Sequence, residues 1–191
     1  MSNPMLSRLS EQDYLHGELS SDIRHEYVDG EAYAMAGAGE AHNLIALNIA
    51  SKLREFARGG PCRVFISDMK LHVQTWKAYY YPDIMVTCDP SDSHSHFKES
   101  PSLVVEVLSP STESTDRREK MLAYRTLPSL REYVLVATDK QQVEHYYRDE
   151  HDEWRLATVS QAEPLLLESV GASLTLKEIY EDVRLDTQGA V

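Results

Sequence analysis

Three things are scarce in this chain of 191 residues. No apolar run approaches the roughly 20 residues needed to span a bilayer. The opening Met1-Ser2-Asn3-Pro4-Met5 lacks a charged stretch followed by a hydrophobic one. A soluble, unsecreted, cytoplasmic protein with no membrane partner is expected. Cysteine is limited to Cys62 and Cys88, both in or beside apolar strand-like runs and without metal-ligand spacing. That predicts two buried thiols in a reducing compartment. Positive charge is short as well: 19 Lys and Arg against 31 Asp and Glu leave a net charge of −12. This argues against a broad basic surface gripping nucleic acid through its phosphates. Two local clusters stand out, Arg117, Arg118, Lys120 and Arg125 on one predicted helix and Lys52, Arg54, Arg58 and Arg63 around another. Most of these read as solvated helix faces.

The length fits one domain over residues 1–191, with a core over about 9–181 and a frayed tail over 184–191. No internal repeat or low-complexity segment divides it. Ser10, followed by Asp13, predicts a short helix start that covers an edge. His25 to Met35 carries Asp29-Gly30 between two extended runs, the strongest short hairpin signal. From Glu40 to Arg58 the spacing of Ile45, Ile49, Leu53 and Phe56 predicts a helix with one apolar face, ended by Gly59-Gly60-Pro61. Cys62–Ser67 and Met69–Gln74 read as successive strands joined at Asp68, and Trp76–Tyr80 as the turn after them. Asp89 to Ser100 is a loop by composition, His94-x-His96 included. A helix is expected from Ser111-Thr112, a buried strand over Glu132–Val136, and a half-exposed hairpin from Gln142–Tyr147 and Trp154–Val159. A last short helix over Leu174–Val183 is capped by Ser173 or Thr175. The order predicts an α/β (α+β) fold, a mixed central sheet flanked by helices with added antiparallel hairpins.

The informative stretch runs from Tyr81 to Lys120. Tyr81-Pro82-Asp83-Ile84-Met85-Val86 and Leu103-Val104-Val105-Glu106-Val107-Leu108 read as strands buried on both faces. Each carries one carboxylate against its own pattern. An unpaired buried carboxylate costs several kcal/mol or more, so Asp83 and Glu106 must be paired, protonated or bound to a cation. On adjacent strands the two can lie side by side, and hard oxygen ligands point to Mg²⁺ or Mn²⁺ rather than zinc. Lys120 lines up with Tyr124 and Leu127 in the apolar stripe of its helix, aimed at that sheet edge; the competing reading is a surface pair with Asp116. Glu26 reads as an exposed strand residue or a site residue, and His42 as a core histidine or a group facing the sheet edge. Trp76, Tyr79, Tyr80 and Tyr81 read as packing aromatics rather than as a base-stacking platform. The chemistry implied is metal-assisted phosphodiester hydrolysis.

Pro82-Asp83, Glu106-Val107-Leu108 and a following helix with Lys120 resemble the PD-(D/E)XK nuclease superfamily. The chain is most similar to its Uma-type, restriction-endonuclease-like members, through Glu26-Tyr27-Val28-Asp29-Gly30-Glu31, His42, Tyr81 to Val86, Val104 to Thr112, Asp116, Tyr124 and Glu132-Tyr133-Val134. The resemblance spans about Leu9 to Glu181. It implies a restriction-endonuclease-like core with Asp83 and Glu106 as metal ligands, and the mechanism expected from that adds the Val107 carbonyl as a further ligand. It also implies that Lys120 replaces the superfamily's lysine, because the motif position for that residue is Leu108. Glu26 and His42 match family positions in the same cleft. An endonuclease acting on DNA is the expected function, as a possible homodimer, since no separate DNA-reading module is visible. Alternatives are a non-catalytic binding protein that keeps the nuclease fold, or a phosphodiesterase acting on RNA or a small nucleotide. Lys120→Ala is expected to abolish cleavage with folding nearly intact.

Overall fold

The computed structural model describes residues 8–185. The Met1–Met5 segment and residues 186–191 of the expected tail lie outside them. Helix α1 (Glu11–Glu18) starts at Ser10, whose side chain accepts the Asp13 amide, and Tyr14 stacks on Tyr27 with ring centroids 4.9 Å apart. Strands β1 (His25–Val28) and β2 (Glu31–Ala34) form the expected hairpin. Asp29 and Gly30 both take positive φ, 43° and 99°, the pair of left-handed residues that a two-residue hairpin turn requires. Helix α2 (Glu40–Ala57) buries Ile45, Ile49 and Leu53. Phe56, expected on the same face, is 47% exposed, and Ala57 closes the stripe instead. At 3.6 residues per turn, the four-residue step from Leu53 stays nearer the stripe than the three-residue step.

Strands β3 (Arg63–Ile66) and β4 (Lys70–Val73) follow one another but join different sheets. The expected turn over Trp76–Tyr80 is shorter than anticipated. The chain turns at Gln74–Trp76 and Lys77, and Ala78–Tyr80 is already strand β5, in keeping with the strand preference of its two tyrosines. Then come β6 (Ile84–Thr87), the two-residue β7 (Phe97–Lys98) inside the predicted loop, and β8 (Leu103–Leu108). After β8 one continuous helical stretch contains α3 (Glu113–Thr115), a π-helical turn (Asp116–Lys120) and α4 (Met121–Tyr124). Strands β9 (Glu132–Ala137), β10 (Val143–Arg148) and β11 (Trp154–Thr158) come next. A hairpin absent from the sequence reading, β12 (Leu165–Leu167) and β13 (Ala172–Leu174), precedes α5 (Leu176–Ile179).

The strands form a six-stranded sheet in the order β11-β10-β9-β8-β6-β3 and a five-stranded sheet in the order β2-β1-β5-β4-β7, with β12-β13 apart. Both larger sheets are mixed: β8–β9 and β4–β7 run parallel and the other pairs antiparallel. This is the expected α+β architecture, mixed sheets flanked by few helices. Alternation along β8 explains its unbroken apolar run. Leu103, Val105 and Val107 pack with α2, the C-terminal hairpin and α5. Val104 and Leu108 pack on the opposite face with Tyr80 of the five-stranded sheet and with Ala123 and Tyr124. Each fully buried Leu or Ile in these layers contributes about 1.5–3 kcal/mol. Glu106 shares the second face, which makes its placement the costliest on the strand. No helix among the described residues is long and apolar enough to cross a membrane.

The cysteines correct the sequence reading, for Cys62 and Cys88 are joined in a disulfide. The β3–β6 register pairs Arg63 with Thr87, so the next rung sets Cys62 opposite Cys88. Spacing in the chain carries no trace of that register, and the reducing compartment inferred from free thiols loses its premise. Thiol titration of the unreduced protein is expected to find neither cysteine free, and Cys88→Ser to lower unfolding stability by about 2–4 kcal/mol. At α5, Thr175 and Glu178 form a reciprocal capping box. The Thr175 backbone and hydroxyl, followed by Lys52, bring the Glu178 carboxyl down to about 2. A depressed carboxyl stabilises above its unfolded value, and that contribution is lost as pH falls through about 2. Thr175→Ala is expected to cost about 1 kcal/mol in denaturant melts near neutrality and less at strongly acidic pH.

Candidate active site

The site begins with strand register. The β6–β8 ladder pairs Ile84 with Val105, so Asp83, one residue before β6, faces Glu106. The Asp83 amide donates to Glu106 Oε2 at 3.3 Å, and the Val107 amide donates to Asp83 Oδ2 at 2.7 Å. The two carboxylates therefore lie together at one end of the sheet. Glu106 is 2% exposed, and its Oε1 accepts the Tyr124 hydroxyl at 3.0 Å and the Lys120 ammonium at 3.3 Å.

The π-helical turn places the other charges. Such turns are rare inserts in α-helices and concentrate at functional sites. Here Asp116 and Lys120 both point inward, 2% and 5% exposed. Lys120 Nζ lies 2.9 Å from Glu26, 3.3 Å from Glu106 and 3.1 Å from Asp116. The two readings of Lys120 merge, since it points toward the sheet edge and also pairs with Asp116, but in the interior. Glu26 comes from β1, where its Oε1 also accepts the Tyr81 amide at 3.2 Å. His42, in the first turn of α2, brings Nε2 to 3.1 Å from Asp83 Oδ2.

Four carboxylates, Glu26, Asp83, Glu106 and Asp116, stand against Lys120 and His42. Burial pushes the Glu106 carboxyl well up, Lys120 opposes the rise, and the surrounding carboxylates add to it. Burial likewise raises Asp116 against the pull of Lys120. Burial alone would lower Lys120, but Glu106, Glu26 and Asp116 together hold it well above the ordinary lysine value. For His42, too, burial acts downward and is outweighed, mainly by Asp83, so its value is raised. The cluster carries surplus negative charge. Asp116 Oδ1 is buried within ion-pair distance of Lys120 yet makes no hydrogen bond.

These features fit a hard divalent cation. No three His, Cys, Asp or Glu side chains form a preformed cage among the described residues. Mg²⁺ needs none, because it binds through one or two carboxylates and keeps several waters. All five predicted side chains, Asp83, Glu106, Lys120, His42 and Glu26, meet in one place. Sequence reasoning missed the burial of Asp116 and the hold of Tyr124 on Glu106; their spacing four and eight residues from Lys120 and Asp116 was the available signal. His94 remains in its loop, stacked on Phe97. Tyr79 and Tyr80 pack in ring clusters, as expected of ordinary strand aromatics.

Comparison with known proteins identifies the class. A crystal structure described as a "putative nuclease belonging to DUF820", from Anabaena variabilis, matches with a TM-score of 0.68 at 16% identity, over 84% of this chain and 91% of that one. The shared feature is the fold, which is nuclease-like. The chain belongs to the Uma2 family, described as "Putative restriction endonuclease", whose family model matches residues 11–177. It is 36% identical over 174 residues to the uncharacterized protein slr1290 of Synechocystis, covering 91% of this chain and 92% of that protein. A second Synechocystis protein, the uncharacterized sll1609, is 33% identical over 151 residues, 78% of this chain and 85% of its own.

The burial of Lys120 revises one expectation. Removing it leaves Glu106 and Asp116 buried without their cation, and breaking such a group costs about 3–5 kcal/mol. Lys120→Ala is therefore expected to destabilise strongly rather than fold nearly intact, with more of the loss appearing at neutral than at acidic pH. Urea unfolding at two pH values checks this, and equal stability to wild type at neutral pH would refute it.

Proposed function

We propose that this protein is a divalent-cation-dependent endonuclease that hydrolyses DNA phosphodiester bonds. The observation that carries the reading is the buried, lysine-bridged Glu106 beside Asp83 at the end of the β6–β8 pair. Asp83, Glu106 and the Val107 carbonyl are the groups that would hold Mg²⁺ or Mn²⁺. When bound, such an ion supplies an activated water at neutral pH and neutralises charge on a phosphoryl oxygen.

The chain's own groups do the rest. The Val107 amide and the His42 ring fix the orientation of Asp83, and the Tyr124 hydroxyl fixes Glu106. Lys120 is held in the charged form and is positioned to stabilise negative charge developing on the phosphate. Glu26 and Asp116 keep its ammonium in place. Leu108, at the position where the superfamily motif carries lysine, is packed in the core, so the ammonium has to come from the following helix. Membership of a family described as "Putative restriction endonuclease" supports nucleic acid as the substrate. Action as a homodimer would bring two such sites to the two strands of a duplex.

The test is calorimetric titration with Mg²⁺ and Mn²⁺ of wild type and Asp83→Asn, followed by incubation of both with plasmid, single-stranded DNA and RNA. Metal binding and plasmid cleavage are expected in wild type and both are expected to fall at least about tenfold in the variant, as loss of a metal-site group does. Cleavage confined to RNA would move the substrate class. Metal binding without any cleavage would replace the nuclease by a binding protein of the same fold, and no metal binding in wild type would sink the reading altogether.

A further inference from the structure

The cations that cluster in the sequence along the helical stretch after β8 divide in the structure. Lys120 turns inward to the acidic site, and Arg117 is held by Glu113 and Glu144 at 2.7 Å each. Arg118 and Arg125 remain. Neither side chain meets an acceptor among the described residues. They stand two turns apart on the side of the stretch away from Lys120, Ala123 and Tyr124, and Leu122, 57% exposed, lies between them.

Arg125 is nevertheless fixed in place. Its guanidinium carbon lies 5.7 Å from the ring centroid of Tyr146 and 5.3 Å from that of Trp154, side chains that share one face of the β10–β11 hairpin. The Arg125 carbonyl accepts Arg148 Nη2 at 3.1 Å, and Arg148 is otherwise taken up by Asp152 and the Leu130 carbonyl. A planar cation stacked on aromatic rings keeps its N–H edge for a further partner. In Arg125 the Nε is sealed from solvent without an acceptor, whereas the two terminal nitrogens, equally without one, are open. Buried polar groups nearly always have a partner, so a guanidinium held this firmly and bonded to nothing needs a reason. An incoming oxyanion at the open fork supplies one.

The charge left free on this face is positive, in a chain whose net charge is −12. Glu144 and Asp152, the neighbouring carboxylates, are committed to Arg117, Arg131 and Arg148. We infer that this face holds nucleic acid outside the acidic site, with Arg125 and Arg118 gripping phosphates of one strand. This contact rests on the nuclease reading and adds how the substrate is kept there. The same helical stretch presents Lys120 to the acidic site on its inner side and two phosphate-binding arginines on its outer side. Contacts of this kind fix a strand's position and carry no sequence information.

The test is fluorescence anisotropy of a labelled single-stranded oligonucleotide with the full chain in EDTA, where metal-dependent cleavage does not operate. Arg125→Gln is expected to weaken binding about tenfold, as loss of one charged hydrogen bond does, and to lower the slope of log Kd against log salt by about 0.7. Arg118→Gln is expected to act in the same direction, and its exposed position keeps the test open should Arg125→Gln fail to fold. Arg125→Lys, with the charge but not the fork, is expected to recover only part of the affinity. Arg58→Gln, the same loss of charge at the end of α2, is expected to change nothing. The contact is overturned if wild type does not bind the oligonucleotide, if Arg58→Gln weakens binding as much as the other two glutamine variants, or if polyglutamate or inorganic phosphate displaces the oligonucleotide at matched charge. Plasmid cleavage in Mg²⁺ is scored separately. Binding through Arg125 without cleavage would sink the nuclease and keep the contact, whereas cleavage with wild-type affinity in both Arg125→Gln and Arg118→Gln would sink the contact alone.

Discussion

The buried ammonium of Lys120 is the constraint on which the rest of the structure depends. Taking one ion out of water costs several kcal/mol, and a group of four costs more unless the geometry lets each offset the others. Here Glu26 comes from the five-stranded sheet, Glu106 from the six-stranded sheet and Asp116 from the helical stretch, and all three converge on one nitrogen. Neither sheet nor helix can shift alone without stranding a charge. The layers are thus tied together where hydrophobic packing, which has no direction, would allow them to slide.

Tyrosines make this arrangement tolerable. Tyr124 donates to Glu106, Tyr133 to the Asp116 carbonyl and Tyr80 to Glu119. The rings of Tyr80, Tyr124 and Tyr133 meet edge to face, with neighbouring centroids 5.5 and 5.4 Å apart. Each therefore serves the apolar core with its ring and the polar cluster with its hydroxyl. On the other side of the sheet end, α2 delivers His42 to Asp83, so the two carboxylates are approached by helices from both faces.

What was legible in the sequence was mostly local. Asp29-Gly30 dictates its hairpin, the α2 stripe dictates its helix, and a carboxylate inside each of two apolar runs marks Asp83 and Glu106 as an exception in need of a partner. What was not legible depended on register and on departures from regular geometry. Cys62 and Cys88 meet because two strands happen to be in step, and the helix that carries Asp116 widens into a turn that no pattern of apolar residues encodes. The β12–β13 hairpin escaped because its short strands are held partly by distant groups, Glu132 fastening the turn between them.

The widened turn also constrains the length of the chain. It is a surplus residue absorbed within a helix, and a further insertion or a deletion between Lys120 and Tyr124, outside that turn, would rotate everything after it by about 100°. Tyr124 would leave Glu106, and Leu127 and Leu130 would leave the core they fill. From Lys120 to the end of α4, spacing is therefore held as strictly as chemistry.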